Sequence, residues 1–147
     1  MTMPRNHDGG YTLVELAVVL AIVAILVAIL EGFRSRANDA RATSSLSHAA
    51  TAEMGLMVAD GAFSTDAGRL TEIAPGIDLG SADTSVRVVV ADVKPGDSAQ
   101  VLLYARSRSG TWFGARLAVA GGARGHFTCR EETEAEMTLA VCTGRDW

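Results

Sequence analysis

The chain is poor in cysteine, in aromatic residues and in positive charge. The shortages of cysteine and of positive charge each disfavour a class of protein. Two cysteines among 147 residues are too few for a disulfide-dense small scaffold or a four-cysteine zinc site, although they can form one bridge. Aromatic residues make up 5% and the formal net charge is −4. That charge disfavours a protein that binds nucleic acid mainly through electrostatics, so nucleic acid is not an expected partner.

Sequence motifs of common enzymes are also missing. The chain has no P-loop, no G-x-G-x-x-G, no G-x-S-x-G and no H-E-x-x-H, and its three histidines are scattered. We therefore expect no enzyme, no cofactor and no metal centre. An apolar content of 48% with 20% charged residues excludes a disordered chain, and the length fits one small domain with an extension.

The apolar residues are concentrated near the start of the chain. Residues 11–30 form an apolar run with a single charged residue, Glu15. A helix of this length spans roughly 30 Å, the thickness of the hydrocarbon core of a bilayer. The run is longer than the apolar core of a secretory signal peptide, and no small-residue cleavage site follows it. It is therefore predicted to be a transmembrane helix.

Glu15 needs an explanation, because a carboxylate within a membrane span costs from about 2.5 kcal/mol upward at the centre and less toward the interface. The run holds no cation that could pair with it. A cut after Gly10 would create a free amino group at Tyr11, about 6 Å along the helix from Glu15. Residues 1–10 are short and polar and end in two glycines, which is compatible with such a cut.

The start of the run resembles the processing motif of bacterial type IV prepilins and type II secretion pseudopilins. Residues 10–15 read GYTLVE. In this family a membrane aspartic peptidase cuts after the glycine and N-methylates the new first residue, which is usually phenylalanine. The resemblance implies cleavage between Gly10 and Tyr11, N-methylation of Tyr11, and a role in assembly for the carboxylate of Glu15.

The resemblance further implies a structural function. A membrane-inserted precursor would be cleaved, methylated and polymerised with other pilins into a type IV pilus-like filament outside the cytoplasm. The implied partners are further pilin copies, the prepilin peptidase, an assembly platform with its motors, and membrane lipid before assembly. In the filament, Glu15 of an incoming subunit would pair with the Tyr11 amine of the docked subunit.

Two alternative functions remain open. One is a pseudopilin of a type II secretion or competence system, which would act in a periplasmic pseudopilus. The other is a membrane-anchored extracytoplasmic binding module that never polymerises.

Small residues recur along one face of the predicted span. Ala17, Ala21, Ala24 and Ala28 are spaced by four, three and four residues. Small side chains at such spacing allow helices to approach closely in lipid. We interpret them as a helix-packing stripe, although alanine is also abundant in the whole chain.

The rest of the chain predicts an α+β, pilin-like fold with a long N-terminal helix packed on a C-terminal antiparallel β-meander. Residues 1–10 are the leader, 11–30 the membrane or filament-core helix, and 31–60 its amphipathic half. Residues 61–85 are a connecting loop, and residues 86–147 form the sheet with a C-terminal loop. Strands are predicted at 86–93, 101–106, 111–119 and 126–130, separated by tight turns. The predicted apolar face of the second half of the helix comprises Leu46, Ala49, Ala50, Met54, Met57 and Val58.

Cys129 and Cys142 enclose twelve residues. In an oxidising exterior a bridge between them would contribute roughly 3 kcal/mol of stability, and many type IV pilins close a C-terminal loop in this way. Two reduced thiols, or a metal site completed by His126, are the alternatives.

The charges of the C-terminal half are unevenly distributed. Residues 86–130 hold seven basic and two acidic residues, whereas residues 131–147 hold five acidic residues and one basic residue. One explanation is ordinary surface charge. A sharper hypothesis is that the acidic segment of one subunit meets the basic sheet of the next. The glutamates could also bind calcium, although their spacing lacks the EF-hand pattern.

Overall fold

The computed structural model describes residues 12–80, 86–92, 99–119 and 124–144, with the backbone alone described for 86–92. The element order confirms the predicted α+β class. It comprises α1 (Leu13–Asp60), α2 (Ala67–Ile73), β1 (Val86–Asp92), β2 (Gln100–Arg106), β3 (Trp112–Ala118), β4 (Gly125–Glu131) and a 3-10 turn (Glu134–Glu136). The chain divides into two units, Met1–Arg34 and Ser35–Trp147.

The described part of the first unit is helical from Leu13 onward. Its aliphatic side chains are all exposed, and an 18-residue stretch of α1 has a mean hydropathy of 3.2 with none of it buried. This stretch is long and apolar enough to cross a membrane.

The second unit contains a four-stranded sheet in the order β1-β2-β3-β4, with every neighbouring pair antiparallel. This is the predicted meander. The β2–β3 connection is a tight turn in which the Ser107 amide donates to the Thr111 carbonyl. Gly110 has φ near 100° in this turn, a conformation that glycine adopts without steric cost.

The main hydrophobic core lies between the second half of α1 and one face of the sheet, called here the inner face. Leu46, Ala49 and Leu56 of α1 pack in one cluster with Leu103 of β2 and Phe113 of β3. Alanine at so many buried helix positions leaves little side-chain bulk between helix and sheet.

The predicted apolar face of α1 is correct for Leu46, Ala49, Ala50 and the half-buried Met57, which packs against the core. It is wrong for Met54 and Val58, near its C-terminal end. Met54 is 42% exposed and Val58 is 84% exposed. Glu53 and Leu56 are buried there instead. The buried line of α1 runs through residues 42, 46, 49, 53 and 56 and is rotated away from Met54 and Val58.

The interpretation of residues 61–85 as a plain connecting loop is also wrong, because these residues include helix α2. The side chain of Asp66 caps it by accepting a hydrogen bond of 2.8 Å from the Gly68 amide, and Leu70 is fully buried in the core. A single buried leucine with a capping aspartate therefore stabilises a helix of seven residues. Residues 81–85 lie outside the described part.

Candidate functional site

Helix α1 begins at a capping box formed by Thr12 and Glu15. The Glu15 amide donates to Thr12 Oγ1 at 3.3 Å, and the Thr12 amide donates to Glu15 Oε2, also at 3.3 Å. Both contacts satisfy N–H groups that have no partner within the helix. Our sequence reasoning treated Glu15 as a carboxylate without a local partner. It overlooked the threonine three residues before a glutamate, which is the signature of a capping box.

The capping box engages only one of the two oxygens of Glu15. Thr12 Oγ1 donates to the same Oε2 at 3.4 Å, and Oε1 has no hydrogen-bond partner among the described residues. The side chain is exposed. Capping of the helix and an ion pair with another subunit are thus geometrically compatible uses of the same carboxylate.

The other residues of the predicted processing site cannot be placed in the same way. Gly10 and Tyr11 lie outside the described residues, so cleavage, N-methylation and the pairing with Glu15 stay predictions. Ala17, Ala21, Ala24 and Ala28 lie within α1 and are exposed. Their role as a packing stripe also stays a prediction.

A second feature is the C-terminal loop (residues 129–142). It packs on the face of the sheet opposite the inner face, called here the outer face. Cys129 of β4 and Cys142 form a disulfide, and both residues are buried. They cluster with Leu102, Tyr104, Trp112 and Met137. Because both sulfurs are in the bridge, neither is available as a thiolate. The structure therefore contains the predicted disulfide rather than two reduced thiols.

Gly114 provides the space that the disulfide occupies. It pairs with Cys129 across β3 and β4 and with Tyr104 across β2 and β3. A Cβ atom at this position would lie 2.6 Å from Cys129 Sγ and 2.9 Å from Cys142 Sγ. The sheet can therefore carry the bridge at this place only because residue 114 has no side chain. The sequence held no signal for this requirement beyond a glycine within a strand.

Arg116 holds the same loop against the sheet. Its Nε and Nη2 donate to Gln100 Oε1 at 3.0 and 2.7 Å, and its Nη1 donates to the Leu139 carbonyl at 2.9 Å. The guanidinium also lies 5.5 Å from the centre of the Phe127 ring. One side chain thus links β2, β3, β4 and the loop.

Two of the acidic residues of the loop have structural partners. Tyr104 Oη donates to Glu134 Oε1 at 2.8 Å. Thr133 Oγ1 donates to Glu136 Oε2 at 2.8 Å, as part of a capping box at the 3-10 turn. Across the described ranges, no three His, Cys, Asp or Glu side chains are grouped so that they could hold a metal ion.

A groove of about 520 Å³ opens between α1 and the ends of β3 and β4. Its lining is mainly apolar and includes Ala50, Met54 and Leu117, with Arg124 and His126 at β4. Partial burial lowers the pKa of His126 and so favours its neutral imidazole. The positive charge of the groove at neutral pH therefore comes from Arg124. The Arg124 Nε donates to the Val119 carbonyl at 2.8 Å.

Glu53 is the one charged residue buried completely among those described. Its Oε2 accepts a hydrogen bond of 3.0 Å from the Ser64 amide, while Oε1 has no partner in the described structure. Burial raises the pKa of Glu53 to about 7, and the hydrogen bond from Ser64 offsets this only in part. Glu53 therefore connects α1 to the segment that follows it. Sequence reasoning missed this, because a glutamate on a helix is usually solvated.

Comparison with known proteins identifies the N-terminal segment. Residues 5–30 match the family model described as the prokaryotic N-terminal methylation motif. The match supports a class III signal peptide of the type IV pilin-like kind at residues 5–30, and it does not distinguish a pilin from a pseudopilin. This motif implies processing by a prepilin peptidase and, together with the apolar helix, fits a membrane-anchored precursor. No curated protein sequence matches the chain.

Proposed function

We propose that this chain is a structural subunit that is cut after Gly10, N-methylated at Tyr11 and polymerised into a type IV pilus-like filament. The observation that carries the proposal is Glu15. It lies in the first turn of an exposed apolar helix, and one of its carboxylate oxygens has no partner among the described residues. A purely anchoring helix would gain nothing from a carboxylate at this place, beyond the capping of its first turn.

The assembly step follows from electrostatics in a medium of low dielectric constant. Cleavage creates a cationic amine at Tyr11, and methylation leaves it basic. Glu15 of an incoming subunit would pair with this amine on the subunit already docked. Because an unpaired buried charge is far more costly than a paired one, pairing both selects the register and stabilises the addition. The alanine stripe would allow neighbouring helices to pack closely.

A pilus subunit is preferred over a secretion pseudopilin because of the C-terminal loop. The disulfide Cys129–Cys142 closes this loop, and Glu134 and Glu136 are engaged in hydrogen bonds to Tyr104 and Thr133. A loop held by a bridge has no need of calcium to order it. A pseudopilin of a type II secretion or competence system is the second candidate, since it shares the processing motif.

The proposal implies a route through the cell envelope. The precursor would lie in the inner membrane in contact with lipid, and would meet the prepilin peptidase, the assembly platform and its motors there. The mature subunit would then leave the membrane for an extracellular filament.

The test is to express the full chain with its own peptidase and assembly machinery. Mass spectrometry reads the mature N-terminus, and electron microscopy scores filaments. We expect a chain that begins at N-methylated Tyr11 and forms filaments. An intact Met1 start despite a competent peptidase, or a cut beyond Leu30, would instead support the anchored module.

Three variants separate the two uses of Glu15. Glu15→Gln keeps an oxygen that can cap the helix but loses the charge, Glu15→Ala loses both, and Thr12→Ala weakens only the cap. We expect both Glu15 variants to be processed but not assembled, and Thr12→Ala to assemble. Filaments of Glu15→Gln at the wild-type level would contradict the pairing.

A further inference from the structure

The groove beside α1 exists because the helix covers only part of the inner face of the sheet. In the antiparallel register His126 of β4 lies opposite Leu117 of β3, so both side chains stand on the inner face. The core cluster includes Leu117 but no residue of β4. Thr128 of β4 is buried, whereas His126 nearer the start of the strand is exposed. The groove therefore lies between α1 and this first part of β4.

The apolar surface of the groove continues along the helix. Met54 lines the groove and is 42% exposed. Val58 lies one turn further on the same side of α1 and is 84% exposed. Exposed apolar surface that is continuous with a groove and bordered by a cation is typical of a protein-docking surface.

The C-terminal loop of the same chain has the complementary chemistry. Val141 is the one large apolar side chain of its described residues that is strongly exposed, at 42%. Glu132 is exposed, and its carboxylate has no hydrogen-bond or ion-pair partner among the residues that the structure describes. Glu134 and Glu136 are instead held within the loop. The loop thus carries an exposed apolar side chain, Val141, and an exposed carboxylate, Glu132, whose charge is opposite to that of Arg124.

We propose that the groove binds the C-terminal disulfide loop (residues 129–142) of a second copy of this chain, with Glu132 of one copy against Arg124 of the other. The contact is heterologous, since groove and loop are different surfaces. Such contacts repeat into a closed ring or, where the rotation does not close, into an open filament. The inference deepens the proposed function, because it names a contact between neighbouring subunits outside the membrane helix. The Arg124 guanidinium can make it without losing its bond to Val119, which uses Nε alone.

Site-specific photocrosslinking of the full chain in its native membranes tests the contact. Benzoylphenylalanine replaces Met54 in a tagged copy, an untagged copy is co-expressed, and mass spectrometry maps the adduct. The matched control places the crosslinker at Glu72, an exposed residue of α2 away from the groove. We expect an adduct from Met54 to residues 129–142 of the untagged copy, and no such adduct from Glu72.

A charge exchange tests the ion pair. Arg124→Glu in the tagged copy should lower the adduct yield about tenfold, because like charges at an interface repel. Glu132→Arg in the untagged copy should then restore it, and Arg124→Lys should leave it nearly unchanged. An adduct within one chain, on another segment or on a different protein, or no adduct at all, would overturn the proposal. Filaments without the adduct would contradict the groove contact alone, and the adduct without filaments would contradict polymerisation alone.

Discussion

The buried carboxyl of Glu53 makes the stability of the second unit depend on pH. Its pKa is raised from 4.5 to about 7 in the folded protein. In the folded state the proton is therefore bound up to a higher pH than in the unfolded chain. The contribution of protonated Glu53 to the free energy of unfolding is fully present below pH 4.5. It falls as the pH rises from 4.5 to 7 and levels off above that. Because a tenfold change in proton affinity corresponds to about 1.4 kcal/mol, the loss between pH 5 and pH 8 is on the order of 2–3 kcal/mol.

The matched variant is Glu53→Gln. Glutamine can still accept the hydrogen bond from the Ser64 amide and cannot ionise, so it imitates the protonated acid. The full chain in detergent micelles is unfolded with urea at pH 5 and pH 8, and the fluorescence of buried Trp112 is followed in a Trp147→Phe background. From pH 5 to pH 8 we expect the free energy of unfolding of the variant to rise relative to that of the wild type by roughly 2–3 kcal/mol.

The difference between the two proteins, rather than either free energy alone, is the quantity to compare. The pKa of His126 is lowered in the folded state, so this group acts in the opposite direction and weakens the fold as the pH falls below its unfolded value. It does so equally in both proteins. A difference between wild type and Glu53→Gln that stays constant from pH 5 to pH 8 would refute the reasoning.

Further predictions concern the C-terminal loop and the filament. Gly114→Ala should destabilise the sheet by at least about 1–3 kcal/mol in urea unfolding. The control Gly55→Ala in α1, where a Cβ meets nothing closer than 3.9 Å, should be neutral or stabilising by up to about 1 kcal/mol. Equal effects of the two variants would contradict the inference that Gly114 leaves space for the disulfide. Replacing Cys129 and Cys142 together by serine should lower the free energy of unfolding by roughly 3 kcal/mol, and an unchanged urea midpoint would show that the bridge contributes nothing. Arg116→Ala should speed hydrogen exchange around Leu139 and in the 3-10 turn while α2 stays unchanged, and uniform protection would contradict the anchoring role. Filaments should shed subunits as salt rises, as measured by sedimentation, if opposite charges join their subunits.

Local patterns in the chain were sufficient to predict the class of fold. The apolar run of residues 11–30, the glycine before an aromatic residue and Glu15 predicted the processing segment that the family comparison matches. Alternating β-rich segments separated by tight turns predicted the meander of β2, β3 and β4. These features depend on spacing along the chain, and such spacing is readable without a tertiary structure.

Only the tertiary structure decided which surfaces of these elements are buried. Helical spacing allows either Met54 or Glu53 to be buried, and the folded protein buries Glu53, whose carboxylate accepts a hydrogen bond from the Ser64 amide. Gly114 is critical because the sulfurs of Cys129 and Cys142, 13 residues apart in sequence, are joined beside it. Arg116 is an anchor because Gln100 and Leu139 come within its reach. Periodicity determines which residues share a face of a helix or strand. Contacts between residues far apart in sequence determine which face is covered, and a single sequence does not contain that information in local form.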